Sequence, residues 1–558
     1  MSCPSCSSKV HPSPDGLVEA DGNSGEFPSA STNPCKLCTP LGACLAFKGI
    51  AGAVPLLHGS QGCATYIRRY LISHFREPVD IASTNFSEDS AVFGGRKNLH
   101  TALDNIGRQY RPALVGIATT CLSETMGENI PMLLHEYCGL RNADCGVAEP
   151  WAEGPDAAPA GPAKIPGNTA NVVAFDRSRP GVRNPHSAVR NNEGPALVHV
   201  STPSFKGTHA EGFHAAVRAL VETLAGTSAH SKSGNPKSAR ASRRIAVMPG
   251  MVSPADLRHL RDFCAAWGAE ITLVPDYAET LDGPSWADFV RLPEGGTTVD
   301  ELRALNRAVA AIEFGRSLAA APATAGTHLN ARFGMPLHRL GLPIGLRGTD
   351  AFCEALNSAL KAEGGRLKAE TDDSLSAFRV QPSACGSDLS LPARIAGERG
   401  RLVDSYVDAH KYLAGKKAVV YGEDDLVAGL AVFLAETGIT PVLVASGERN
   451  RRLADAIFAA APELRGRTEV REGSDFGEIE TRIAELKPDL LIGSSKGYKL
   501  ARSLGVPLVR CGFPVHDRLG AQRIRLLGYA GTQELFDRIV NALLEAKQED
   551  SEIGYSYL

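Results

Sequence analysis

The 558 residues exceed what one hydrophobic core usually supports, and a chain of this length typically forms about three or four domains. The balance of 59 Lys and Arg against 62 Asp and Glu gives a formal charge of -3, which argues against nucleic acid or an anionic membrane as a partner. No segment approaches the roughly 18 apolar residues of a membrane helix, and the N-terminus lacks the pattern of a secretory signal. We therefore expect a cytoplasmic protein.

Residues 1–32 are rich in Ser, Pro and Gly and carry too little apolar content to build a packed element. They are predicted to form a disordered arm. Cys3 and Cys6 within it could bind a metal, but no second Cys or His pair at zinc-site spacing lies nearby.

Residues 33–243 predict a first α/β domain. Residues 114–118 are continuously apolar and indicate a buried parallel strand whose end delivers Cys121 into a loop, the place where open α/β sheets hold cofactor groups. The segment ALVHVSTPSF predicts a further strand that ends at Ser204. Two stretches, about 146–194 and 225–243, have the low-complexity composition and lack of periodicity that are typical of insertions.

Two more α/β domains are predicted, over residues 244–395 and 396–558. In the first of them a helix begins after Ser253, with Pro254 at its first position. The second ends in a C-terminal helix and tail. Strand, helix and strand repeat with short Gly-containing turns, so the sequence predicts an α/β fold of three doubly wound parallel-sheet domains in series.

Thirteen cysteines are distributed unevenly, and most are expected to be free thiols or metal ligands rather than disulfides. Cys38, Cys63 and Cys121 stand in polar loops with small neighbours, where several backbones can approach one metal centre. Their spacing does not separate an iron-sulfur cluster from zinc or from unliganded thiols. Four others lie in apolar segments and are expected to be buried thiols: Cys264, Cys353, Cys385 and Cys511.

Charged residues surround Cys63 in the sequence. They could set the electrostatics of a bound cluster or form interface salt bridges, and the composition favours neither role. The group is His58, Arg68, Arg69, His74, Arg76 and Glu77. Late in the chain, GSSKGYK places a Gly-rich turn before a helix, which would suit an anion. It lacks the Walker pattern, which argues against a nucleotide site.

Several longer motifs occur in a fixed order: CTPLGA, HGSQGC followed by HFREPV, SEDSAVFGG, TTCLSE and TPSFKGTH. Together they resemble the β-type subunits of the nitrogenase component 1 family, from about residue 33 to the C-terminus. The resemblance implies three α/β domains, an α2β2 tetramer with a homologous α-type subunit, and a separate ATP-dependent iron-protein reductase component.

The same resemblance assigns site residues. Cys38, Cys63 and Cys121 match the three cysteines with which a β-type subunit holds its share of an iron-sulfur cluster at the interface with its partner. Ser204 matches a serine that can approach this cluster, and capping of the following turn is its alternative role. Cys35 and Cys44 flank a ligand position without matching one.

Family members differ in what the partner does. Residues 273–297 and 535–558 look more like the NifN-type assembly subunit, a scaffold that, with a NifE-type partner, matures the iron-molybdenum cofactor precursor before its transfer to nitrogenase. The scaffold is therefore the role we expect from the sequence. That role implies a [4Fe-4S] cluster.

Retention of all three cysteines and Ser204 fits the alternative. This is the β subunit of a nitrogenase or nitrogenase-like reductase, such as a methylthio-alkane reductase, with a NifD-like partner and an [8Fe-7S] cluster. A subunit of a dark-operative protochlorophyllide reductase fits the motifs less well. The remaining alternative is a subunit that binds no cluster and only supports its partner.

Overall fold

The computed structural model describes residues 35–141, 194–227, 244–285, 290–315, 323–364, 378–379 and 389–552. The predicted arm, most of the two predicted insertions, and Cys3, Cys6 and Cys385 lie outside these residues.

The first sheet is parallel, with strand order β2-β1-β3-β4. Its strands are β1 (Ala53–His58), β2 (Ala82–Ser83), β3 (Leu114–Thr119) and β4 (Ala196–Val200). Its helices are α1 (Thr39–Lys48), α2 (Gln61–Phe75), α3 (Glu88–Phe93), α4 (Arg96–Tyr110), α5 (Cys121–Thr125), α6 (Ile130–Arg141) and α7 (His209–Leu224). Every residue of β1 and β3 is buried, as expected of a parallel sheet covered on both faces.

The second sheet repeats this order as β6-β5-β7-β8, again with parallel neighbours. Its strands are β5 (Arg244–Met248), β6 (Glu270–Leu273), β7 (Ala310–Phe314) and β8 (Leu337–Leu340). Its helices are α8 (Pro254–Ala265), α9 (Val299–Arg303), α10 (Ala325–Phe333) and α11 (Gly345–Gly364). The predicted start of α8 is confirmed, because Ser253 caps it by accepting the N–H of Asp256 and Pro254 is its first residue.

The third sheet has five parallel strands in the order β13-β12-β11-β14-β15. They are β11 (Lys417–Gly422), β12 (Thr440–Ser446), β13 (Glu469–Arg471), β14 (Leu490–Gly493) and β15 (Leu508–Arg510). Its helices are α12 (Ala393–Leu413), α13 (Asp424–Glu436), α14 (Leu453–Ala460), α15 (Phe476–Leu486), α16 (Tyr498–Leu504) and α17 (Gly528–Glu549). Before α12, the short strands β9 (Phe378–Arg379) and β10 (Ser390–Leu391) form an antiparallel pair. The predicted α/β architecture with three parallel sheets is confirmed.

Helices α1 and α7 pack at unusually close range. A Cβ atom on Gly42 would lie 1.7 Å from the carbonyl oxygen of His209, and one on Gly212 would lie 1.9 Å from the carbonyl oxygen of Thr39. Only glycine permits this approach of two backbones. All ten residues of α1 are buried, so the helix is fixed within the core of the first sheet.

The predicted strand end at Ser204 is wrong, since β4 stops at Val200. The N–H of Thr202 donates to the Thr119 hydroxyl at 2.8 Å instead of continuing the ladder, and Pro203 has no N–H to donate. Ser204 therefore lies in the turn beyond the strand.

The buried thiols of Cys44, Cys264, Cys353 and Cys511 are free, as expected for the last three from their apolar segments. Cys138 in α6 is disulfide-bonded, which the expectation of free thiols missed.

Candidate metal centre

The predicted site residues lie at the carboxyl edge of the first sheet, where its strand order reverses between β1 and β3. Cys63 is the third residue of α2, which follows β1, and Cys121 is the first residue of α5, which follows β3. Ser204 follows β4, the neighbour of β3. Ligands of open α/β sheets bind in the crevice that forms at such a switch point.

Cys38 reaches this edge from a different direction. It is the N-cap residue of α1, and the preceding N–H, that of Leu37, donates to Nδ1 of His209 at 3.3 Å. Because His209 begins α7 and α7 is locked to α1, the position of Cys38 is tied to the turn that carries Ser204.

The three thiols share one electrostatic environment. Burial raises the pKa of the Cys63 thiol, and the charges of Cys38 and Cys121 raise it further. Each of the three is half-buried. Thiolates held together in this way repel one another, and a bound cation removes that repulsion.

Ser204 contacts Cys121 through the backbone. Its N–H donates to the Cys121 sulfur at 3.2 Å, a contact that stabilises a thiolate. Three soft sulfur donors with a backbone N–H on one of them match the ligand chemistry of iron-sulfur clusters. Within the ranges that the structure describes, no group of three or more His, Cys, Asp or Glu side chains is arranged to hold a single metal ion.

Buried hydrogen bonds fix the loops that carry Cys63 and Cys121. His58, fully buried at the end of β1, pairs through Nε2 with Glu128, which also accepts the N–H of Gly95. The His58 carbonyl accepts the Ser123 hydroxyl at 2.9 Å, joining the end of β1 to α5. The sequence did not indicate Glu128, because its partner lies 70 residues away and no local pattern marks the pair.

The charged residues near Cys63 have mainly structural contacts. His74 accepts the Val515 N–H at Nδ1 at 3.0 Å, and burial lowers its pKa to about 3, so it is neutral at pH 7. The Arg68 guanidinium donates to the Val79 carbonyl at 2.9 Å, and that of Arg76 to the His516 carbonyl at 2.9 Å. Burial and then the charge of Asp282 raise the pKa of Glu77.

The GSSKGYK turn also lies close to the cysteines. Lys496 Nζ donates to the Lys36 carbonyl at 3.3 Å, and burial lowers the pKa of this ammonium. The turn that the sequence pattern indicated therefore lies against the backbone that leads to Cys38.

Exposed apolar side chains adjoin the site residues. Tyr66 lies one turn after Cys63, Leu122 follows Cys121, and Phe205 follows Ser204 with 59% of its surface exposed. Large side chains of this kind, close to half-buried thiols, are typical of a surface that a partner protein covers. No helix in the described ranges is long and apolar enough to cross a membrane.

Comparison with known proteins identifies the family. The model of the nitrogenase component 1 type oxidoreductases matches residues 38–148 and 183–544. The β chain of the nitrogenase molybdenum-iron protein of Methanothermobacter marburgensis is 32% identical over 522 residues, covering 93% of this chain and 95% of that one. The corresponding chain of Azotobacter vinelandii is 30% identical, covering 93% and 86%.

A solved structure agrees with these sequence matches. A chain of the structure titled "Nitrogenase Cp1 at pH 6.5" superposes with a TM-score of 0.75 at 28% identity, covering 97% of this chain and 98% of the other. The protein belongs to the nitrogenase component 1 family and is similar to the β chains of its molybdenum-iron proteins.

Proposed function

We propose that this chain is the β-type subunit of a nitrogenase-like α2β2 protein and that Cys38, Cys63 and Cys121 hold its share of an iron-sulfur cluster at the interface with an α-type partner. The observation that carries this proposal is the placement of the three cysteines at the switch-point edge of the first sheet, with the Ser204 N–H 3.2 Å from the Cys121 sulfur. Such a cluster supplies one-electron transfer, and the chain's own part is to bind, orient and shield it.

Sharing of the cluster with a partner is what the family resemblance implies, and the ligand count supports it. A [4Fe-4S] cluster commonly takes about four cysteine thiolates and this site offers three, which agrees with ligands supplied by a second chain. The exposed side chains of Tyr66, Leu122 and Phe205 beside the thiols supply apolar surface for that chain.

The β subunit of an oxidoreductase is the leading candidate role. Its support is the similarity to molybdenum-iron protein β chains along 93% of the sequence, together with retention of all three cysteines and Ser204. In this role an ATP-dependent iron protein delivers electrons, the interface cluster is of the [8Fe-7S] type, and the NifD-like partner holds the substrate-reducing cofactor.

The NifN-type scaffold is the second candidate, favoured by residues 273–297 and 535–558. There the chain and a NifE-type partner hold the precursor of the iron-molybdenum cofactor, and the interface cluster is [4Fe-4S]. In both roles we place the protein in the cytoplasm and keep domain limits of 33–243, 244–395 and 396–558.

The test is to purify the chain with the α-type subunit encoded beside it and to count iron and labile sulfide at each interface. About eight irons together with reductant-dependent substrate turnover support the oxidoreductase. About four irons, no turnover, and activation of cofactor-free nitrogenase by the purified pair support the scaffold. A complex without iron contradicts the proposal in both forms.

A further inference from the structure

Lys496 lies in a rigid turn at the carboxyl edge of the third sheet. It follows β14, which pairs with β11 at the point where the strand order of that sheet reverses. The N–H of Ser495 donates to the Pro514 carbonyl at 3.0 Å. A Cβ on Gly497 would lie 2.1 Å from the Tyr421 hydroxyl, so the backbone after Lys496 is packed directly against a buried ring.

The segment that leads to Cys38 is held against the same edge. The N–H of Cys35 donates to the Ser474 carbonyl at 3.1 Å, and the Lys496 ammonium donates to the Lys36 carbonyl at 3.3 Å. A Cβ on Gly447 would lie 2.7 Å from the Lys36 nitrogen, which leaves no space between the two segments. These contacts fix Lys496 relative to Cys38 although 458 positions separate them in the sequence.

The ammonium of Lys496 lies close to the segment that leads to Cys38. Its Nζ contacts the Lys36 carbonyl, two residues before Cys38, and burial lowers the pKa of the ammonium while the neighbouring cysteines act in the opposite direction. Burial raises the pKa of the Cys35 thiol, and the carboxylates of Asp475 and Glu478, at the N-terminal end of α15, raise it further. The ammonium of Lys496, carried by the third sheet, therefore lies beside the segment that ends at Cys38.

We propose that Lys496 is a positioning residue that keeps a fixed positive charge beside the Cys38 end of the interface cluster and thereby raises the reduction potential of that cluster. This inference rests on the proposed cluster. Reduction adds one electron and makes the cluster more negative, so a nearby cation in a partly desolvated site stabilises the reduced form.

The test compares three variants of the complex with its α-type partner: Lys496→Gln, Lys496→Arg and Lys499→Gln. Glutamine removes the charge but keeps an N–H donor for the Lys36 carbonyl, and arginine keeps both. Lys499 is exposed on the adjacent helix and is the matched control. Iron content is measured first, and then the potential is obtained by dithionite titration followed by electron paramagnetic resonance.

We expect Lys496→Gln to keep its iron and to lower the ratio of reduced to oxidised cluster at a fixed solution potential by about tenfold, which is a shift of about 59 mV for one electron. Lys496→Arg and Lys499→Gln should match the parent. Loss of iron in Lys496→Gln with normal iron and potential in Lys496→Arg also supports a requirement for the charge.

Three results would overturn the inference: an unchanged potential in Lys496→Gln, an equal shift in Lys496→Arg, or loss of iron in both variants. A parent complex without iron is a separate outcome, because it contradicts the proposed function itself.

Discussion

The backbone N–H of Ser204 points at the sulfur of Cys121, 3.2 Å away, across the boundary between β4 and β3. The contact is made from the turn beyond β4, which ends at Val200. The sequence indicated Ser204 because of its hydroxyl group, but in the structure its backbone N–H makes the contact with Cys121.

Ser204→Ala is expected to keep the iron content of the complex close to that of the parent, because alanine retains the N–H that Cys121 accepts. Iron analysis and electron paramagnetic resonance of the reduced complex check this. Ser201→Ala is the control, since Ser201 lies on the same loop but its hydroxyl donates to Glu124 at 2.6 Å. Loss of iron in Ser204→Ala alone would instead make the hydroxyl a ligand.

Gly42→Ala should strongly destabilise the protein, because the new methyl group would collide with the His209 carbonyl and force α1 away from α7. We expect a loss of about 1–3 kcal/mol or more, as for other overpacked cores, and lower iron content because Cys38 caps the displaced helix. Urea unfolding measures the first effect.

Gly107→Ala is the matched control for this substitution. Gly107 lies within α4, and a Cβ there would meet nothing within 4 Å. Alanine should stabilise this helix by roughly 0.5–1 kcal/mol. Equal stability of the two variants would contradict the close packing of α1 against α7.

We predict that His74 makes the free energy of unfolding fall in acid. The folded protein keeps His74 neutral down to a pKa of about 3, whereas the unfolded chain protonates it near 6.5. Between these values the unfolded state binds more protons, so stability present above pH 6.5 is lost as the pH falls. By pH 5 the loss amounts to roughly 2 kcal/mol.

The measurement is urea unfolding of the parent and of His74→Gln at pH 7 and pH 5. The parent should lose more stability on acidification than His74→Gln, while His410→Gln, at an exposed position of α12, should behave as the parent does. An identical pH dependence in the parent and His74→Gln would show that protonation of His74 is not linked to unfolding.

Local patterns predicted the architecture well. Ser253 and Pro254 mark the start of α8, and the apolar run at 114–118 forms all of β3 except its last residue. The contacts that the sequence did not indicate join distant segments. Glu128 pairs with His58, Thr119 ends β4 by accepting the Thr202 N–H, and Lys496 reaches the segment before Cys38. Each depends on how the sheets fold together, which no local periodicity records.

The central claim is that Cys38, Cys63 and Cys121 hold a metal cluster. It is tested most directly by iron and labile sulfide in complexes that carry Cys38→Ala, Cys63→Ala or Cys121→Ala, with the buried Cys44→Ala as control. We predict loss of the interface cluster and its resonance signal in each of the three and retention of both in Cys44→Ala. Full iron content in all three ligand variants would contradict the assignment.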